Sequence, residues 1–123
     1  MTAQQFIKKR LYSFSYAFSG IAFVLKTQPN AWLHAAIAIL VVTLAAYLQI
    51  LASDWRWLVL TITLVWFAET INTAFEFVCD VVSPQYHANV QKAKDIAAGA
   101  VLICAVGAAI LGLMVFLPYF KPL

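Results

Sequence analysis

An all-α membrane protein, one amphipathic surface helix followed by three transmembrane helices, is predicted by three observations. Hydrophobic residues make up 64% of the 123-residue chain and the mean hydropathy is +0.87, well outside the composition of a soluble globular domain. Residues 96–117 carry no charge, and a helix of that length crosses roughly 30 Å of hydrocarbon at about 1.5 Å per residue. Two further apolar runs, residues 31–48 and 57–79, have the length of a span, the first interrupted by His34 and the second by Glu69, Asn72 and Glu76.

The first 26 residues place the basic "KKR" before an apolar stretch, as a signal peptide does, but Ser13, Ser15, Ser19 and Gly20 break that stretch and no small-x-small cleavage site follows. Helical periodicity accounts for it better. At 100° per residue Ile7, Leu11, Phe14, Phe18, Ile21 and Leu25 fall within a stripe of about 80°, away from Lys8, Lys9 and Ser15. Residues 4–27 are therefore expected to lie as an amphipathic helix in the membrane interface.

Pro29 and Asn30 end that pattern, and the first span is expected over residues 31–49 with Trp32 at interface height. The short "ILASDWRW" loop brings Trp55 and Trp57 to the opposite interface before the second span, residues 56–80. "SPQYH" turns the chain back, and the third span covers residues 95–117. Small residues crowd this last helix, among them Gly99, Gly107 and Gly112. Because such residues let helices approach closely in lipid, a homo-oligomer is expected. The whole chain, residues 1–123, reads as a single domain.

Charge gives the topology. Lys8, Lys9, Arg10, Lys26, Lys92 and Lys94 fall on the side of the N-terminus, and only Arg56 and Lys121 on the other, which predicts a cytoplasmic N-terminus. The net charge of +3 then reflects topology and contact with anionic lipid; no nucleic-acid motif accompanies it. Cys79 and Cys104 stand alone in separate apolar helices, without metal or redox spacing, and read as packing residues.

Three of the five acids lie in "WFAETINTAFEFVCD", residues 66–80. With Glu69 at 0° on a helical wheel, Asn72 falls at about −60°, Glu76 at about −20° and Asp80 at about +20°, one narrow polar face. An acid near the bilayer centre costs about 2.5–3.5 kcal/mol on insertion scales. Asp80 reaches the interface, whereas Glu76 lies about 6 Å and Glu69 about 16 Å further along the axis. Apart from Arg56 at the outer edge of the second span, no Lys or Arg occurs inside the spans, which on this topology excludes ion pairing of the deep acids with a basic side chain. What remains is neutral carboxyls bonding between helices, or a cation site or general base facing a polar cleft.

"QKAKDIAAGAVL" adds Lys92, Lys94 and Asp95 at the start of the third span. Lysines there oppose the helix dipole, so they answer either to positive-inside topology or to an anion. Carboxylates for a divalent cation, lysines for phosphates and a deeper carboxylate together suit phosphoryl transfer to a membrane-bound acceptor. No P-loop, HRD or DFG sequence is present, which excludes P-loop and protein-kinase chemistry. The competing classes are a small proton or cation transporter using Glu69, Glu76 and Asp80 as a relay, and a structural or assembly subunit.

"AETINTAFEFVCDVVSPQYH" followed by "KAKDIAAGAVLI" resembles the signature of the small integral-membrane lipid kinases of bacteria, the diacylglycerol kinase and undecaprenol kinase family. "SFSYAFSGI" and "NAWLH" extend the resemblance over nearly the whole chain, and "SPQYH" and "AAGAVL" are somewhat more similar to the undecaprenol kinase branch. The resemblance implies a homotrimeric bundle in the bacterial cytoplasmic (inner) membrane with active sites between protomers. It further implies ATP- and Mg2+-dependent transfer of the γ-phosphoryl group to the primary hydroxyl of a lipid, diacylglycerol or undecaprenol. By position, it makes Glu69 the general base, Asn72 a supporting residue, Glu76 a magnesium ligand, and Tyr16, Gln85, Tyr86, His87, Lys94 and Asp95 nucleotide-binding residues. Lys9 or Arg10 falls where the family places a basic residue near the phosphates, and Asp80 matches a residue important to the site. Gln28 stands where a second acidic metal ligand is expected; its amide oxygen can bind magnesium but brings no charge, and Asn30 is a candidate assistant. His34, one to two turns inside the first span, reads either as a buried hydrogen-bonded histidine or as a catalytic one.

Overall fold

The computed structural model describes residues 1–121 and contains four helices in chain order: α1 (Ala3–Thr27), α2 (Pro29–Tyr47), α3 (Ala52–Val82) and α4 (Ala88–Phe116). A short 3-10 helix, Leu117–Phe120, follows α4. Among the described residues three helices are long and apolar enough to cross a membrane, and large apolar side chains such as Ile39, Leu40, Ile103 and Met114 face outward along them. Outward apolar faces are the mark of a protein solvated by lipid.

Local chemistry sets each helix end. Thr2 caps α1 reciprocally with Gln5: the Gln5 backbone N–H donates to Thr2 Oγ1 at 3.2 Å and the Thr2 N–H donates to Gln5 Oε1 at 2.9 Å, satisfying two otherwise orphaned donors. The corner between α1 and α2 is one residue, Gln28, extended at φ −105° and ψ 111°. That conformation follows from Pro29, which disfavours the helical region for the residue before it and suits the first position of α2. Trp32 Nε1 donates to the Leu25 carbonyl across the corner at 2.5 Å.

α2 ends at Tyr47, and the chain then turns at Gln49, the one non-glycine residue among those described with positive φ, 51°. The chain re-enters α3 with Asp54 in the first turn, where an acid complements the dipole. Tyr119 closes this end of the molecule. Its hydroxyl donates to Asp54 Oδ2 at 2.5 Å and accepts from the Leu51 N–H at 3.0 Å. Ala45, Ile50, Leu58 and Val115 form the buried cluster beneath it.

The pairing of helices fixes depth. His34 faces Glu69 and Ala45 shares a cluster with Leu58, so α2 and α3 run antiparallel; Lys94 beside Asp80 and Val115 near Leu58 set α4 antiparallel to α3. On that register the start of α2 is level with about Ala74 on α3 and about Ala100 on α4. Residues 75–82 and 88–99 therefore stand about 12 Å and 18 Å beyond it. Phe23 of α1 packs edge-on against Phe77 at 5.4 Å between ring centroids, which ties the end of α1 to this projecting hairpin.

The small residues of α4 are not consumed by packing within the chain. A Cβ added at Gly99, Gly107 or Gly112 would meet nothing within 4 Å. Where close approach through these residues was expected, this protomer leaves the space open.

Candidate active site

The face foreseen on the helical wheel is real, and burial grades along it. Glu69 is 1% exposed and Asn72 5%, Glu76 is half-buried and Asp80 is exposed. α3 carries all four on consecutive turns, so their spacing is rigid. Asn72 Nδ2 donates to Glu76 Oε1 at 3.1 Å, and Thr73, itself buried, turns its hydroxyl onto the Glu69 carbonyl at 2.9 Å.

Two oxygens at the inner end are enclosed and have no hydrogen-bond partner: Glu69 Oε2 and Asn72 Oδ1. Buried acceptors in this state are uncommon and costly. The nearest polar group to the first comes from α2, where His34 Nε2 lies 3.7 Å from Glu69 Oε2 with the imidazole side chain 14% exposed. Reasoning from Lys and Arg alone therefore missed the polar partner that the spans do contain. The register also moves the acid. Measured from Pro29, Glu69 lies level with a residue only five positions into α2, about 7 Å from its start, so it sits toward the end of the span and not at its middle.

At the mouth, Lys94 Nζ donates to Asp80 Oδ1 at 2.5 Å. Asp80, Ser83, Gln85, Tyr86, His87 and Lys94 line a cavity of about 120 Å³ together with Val90 and Gln91. Ser83 Oγ donates to the Gln85 carbonyl at 2.8 Å, and His87 Nδ1 accepts from the Asn89 N–H at 3.2 Å, capping α4. Gln91 Nε2 donates to Asp95 Oδ1 at 3.0 Å. Ligand sites usually measure about 300–1,000 Å³, so this cavity is a fraction of one.

The structure thus brings Glu69, Asn72 and Glu76 together, joins His34 to them, and gathers Asp80, Gln85, Tyr86, His87 and Lys94 at the mouth, with Asp95 next to Lys94 on α4 and one turn from Gln91. Gln28 sits at the α1–α2 corner, where its side-chain amide donates to Thr27 Oγ1 at 3.1 Å, and Asn30 is exposed beside it. Lys9, Arg10 and Tyr16 occupy the outer half of α1, all exposed; Arg10 lies over the Phe6 ring at 5.1 Å. No described contact connects these α1 residues to the carboxylates. Gln91 and Ser83 escaped the sequence reading, although the spacing of Gln91 from Asp95, one helical turn, was a usable signal.

A helical membrane protein with three spans, a buried-to-exposed acidic face on one helix and a lysine paired at its open end defines the class. Residues 15–116 match the family described as prokaryotic diacylglycerol kinase. A protein named diacylglycerol kinase from Synechocystis sp. is 40% identical over 117 residues, covering 94% of this chain and 67% of its own. One named undecaprenol kinase from Bacillus subtilis is 36% identical over 106 residues, covering 86% of each. The chain belongs to the prokaryotic diacylglycerol kinase family and is an enzyme of the lipid kinase class.

Proposed function

We propose that the protein transfers the γ-phosphoryl group of ATP to the primary hydroxyl of a membrane lipid alcohol, with diacylglycerol and undecaprenol as the two candidate acceptors. The observation that carries this is the graded face of α3: an enclosed carboxylate at Glu69, a half-buried one at Glu76, and the Asp80–Lys94 pair in the open. Such a gradient joins an enclosed end inside the span to an open end within about three helical turns. The named acceptors of the two relatives differ, and their identities to this chain do not separate the possibilities.

In this reading Glu69 takes the hydroxyl proton as the lipid oxygen attacks the γ-phosphorus, and Lys94 holds phosphate oxygens at the mouth. The donor set suits a hard cation. Glu76 keeps an oxygen free of Asn72, and Asn72 Oδ1 is an enclosed acceptor with nothing bonded to it. Magnesium would be held by Glu76 with Asn72 or Gln28 assisting, and when bound it neutralises charge on the phosphates. Tyr86, His87, Gln85 and Asp95 border the nucleotide in this reading; the resemblance adds Tyr16 and Lys9 or Arg10, which no described contact within the protomer brings to the site. The working unit in this reading is the homotrimer that the family resemblance implies, its protomers completing one another's sites; the small cavity of one protomer and the open space beside the glycines of α4 support a neighbouring copy there. The N-terminus lies in the cytoplasm and α1 rests on the inner face of the bacterial inner membrane.

The test is purified protein with labelled ATP and magnesium, offered diacylglycerol and undecaprenol side by side. Labelled phosphatidic acid or undecaprenyl phosphate is expected. Absence of either product, together with cation flux into liposomes without ATP, would replace the kinase reading by transport.

A further inference from the structure

Glu69 is the most enclosed charged side chain in the molecule, yet α3 gives its Oε2 no partner. A general base with both oxygens free would rotate about its terminal bond and offer either atom to the substrate. Across the helix interface, His34 projects from α2 with its Nε2 aimed at that oxygen, 3.7 Å away. This is slightly beyond a hydrogen bond, a separation that catalytic pairs commonly show before the substrate is in place. An imidazole with its proton on Nε2 is a donor there.

We propose that His34 is the positioning residue of Glu69: it donates Nε2–H to Oε2 and so commits Oε1 to the reaction. The inference rests on Glu69 being the base. In the transfer step the lipid O–H bond breaks and its proton goes to Oε1. The lipid oxygen bonds to the γ-phosphorus as the bond to the β–γ bridging oxygen breaks, and the electron pair leaves with the diphosphate. His34 keeps its own proton throughout and touches no reacting atom. The arrangement also explains how an acid can be enclosed with no Lys or Arg beside it: an imidazole is a polar partner that carries no obligatory charge.

The same register makes α2 a structural part of the base. His34 lies only about one and a half turns from the corner at Gln28, and that corner is held by Trp32 on the Leu25 carbonyl. The position of the histidine is therefore governed by where α1 ends.

The experiment compares His34→Leu, His34→Gln and Glu69→Gln, each purified in full length with helix content and oligomer size verified. His34→Leu removes the donor while keeping bulk, and His34→Gln returns an N–H at about the distance of Nε2. The expected result is a fall in kcat of about 10- to 100-fold in His34→Leu, the range for a displaced catalytic group, with KM for ATP and lipid changed less than about threefold. His34→Gln should recover most of that loss. In a Glu69→Gln background, His34→Leu should cost nothing further, because the oxygen it positions no longer acts as a base. A leucine variant with wild-type kcat, a glutamine variant no better than leucine, or an undiminished penalty in the Glu69→Gln background would each overturn the proposal. Full activity in Glu69→Gln itself would remove the base reading along with it, whereas a dead Glu69→Gln beside a wild-type His34→Leu would remove the histidine role alone.

Discussion

Asn72 offers a perturbation in which stability and activity should part company. Its amide does two unequal things: Nδ2 donates to Glu76 Oε1 at 3.1 Å, and Oδ1 sits enclosed without a partner in a residue only 5% exposed. Asn72→Leu, close to isosteric, removes both. Losing a hydrogen bond to a charged group costs about 1.5–3 kcal/mol, while deleting an unsatisfied buried acceptor recovers about 1–3 kcal/mol. The two nearly cancel, so unfolding free energy should move by less than about 1.5 kcal/mol in either direction. Activity has no such compensation. With Glu76 released and the amide oxygen gone, kcat/KM for magnesium and ATP should fall by about 10- to 100-fold, equivalent to about 1.4–2.7 kcal/mol. The assays are denaturant unfolding in detergent micelles followed by helix signal, and labelled phosphate transfer across a magnesium titration. A stability loss that accounts for the activity loss, or activity within twofold of wild type, would refute the reasoning that Asn72 is held at a structural cost for the sake of the site.

Three further outcomes are expected. Gln28→Glu would add a second carboxylate to the proposed magnesium site, so the magnesium concentration for half-maximal rate should fall several-fold; a rise would mean that Gln28 serves the helix corner and not a metal. Tyr119→Phe removes the hydroxyl that joins Asp54 to the Leu51 N–H, which should lower the unfolding temperature while leaving lipid phosphorylation within about twofold, since this end is remote from the carboxylates. Leu58→Ala, in a side chain 2% exposed within the cluster of Ala45, Ile50 and Val115, should cost about 2–5 kcal/mol of stability as a cavity opens, measured by the same denaturant titration.

The helices were legible because they are a one-dimensional signal: apolar run length gives the three spans, and Pro29 and "SPQYH" punctuate them. The carboxylate face was equally legible, since Glu69, Asn72, Glu76 and Asp80 share one helix and a fixed rotation per residue places them. What the chain does not display in one dimension is the register between helices. That depends on a one-residue corner at Gln28 and a left-handed residue at Gln49, and no periodicity reports either. Hence the sequence placed His34 only as one to two turns into its helix, and its meeting with Glu69 emerged from the antiparallel alignment. The Tyr119 clasp joins residues more than sixty positions apart, beyond the reach of any local pattern. The open space beside Gly99, Gly107 and Gly112 likewise needed coordinates, because small residues in a sequence do not say which neighbour they admit.

The projection of α3 and α4 past the start of α2 has a consequence for solubility. A phosphate donor that lives in water and an acceptor that lives in oil cannot share a solvent, and an enzyme joining them must move one of them or build a contact at the boundary. Here the hairpin of residues 75–99 carries the Asp80–Lys94 mouth clear of the level at which α2 begins, while Glu69 lies about 7 Å below that level. If Glu69 is the base, as proposed, the donor's reactive end need descend only that far. The chain acts as a meeting place straddling two phases, with neither substrate required to leave its own.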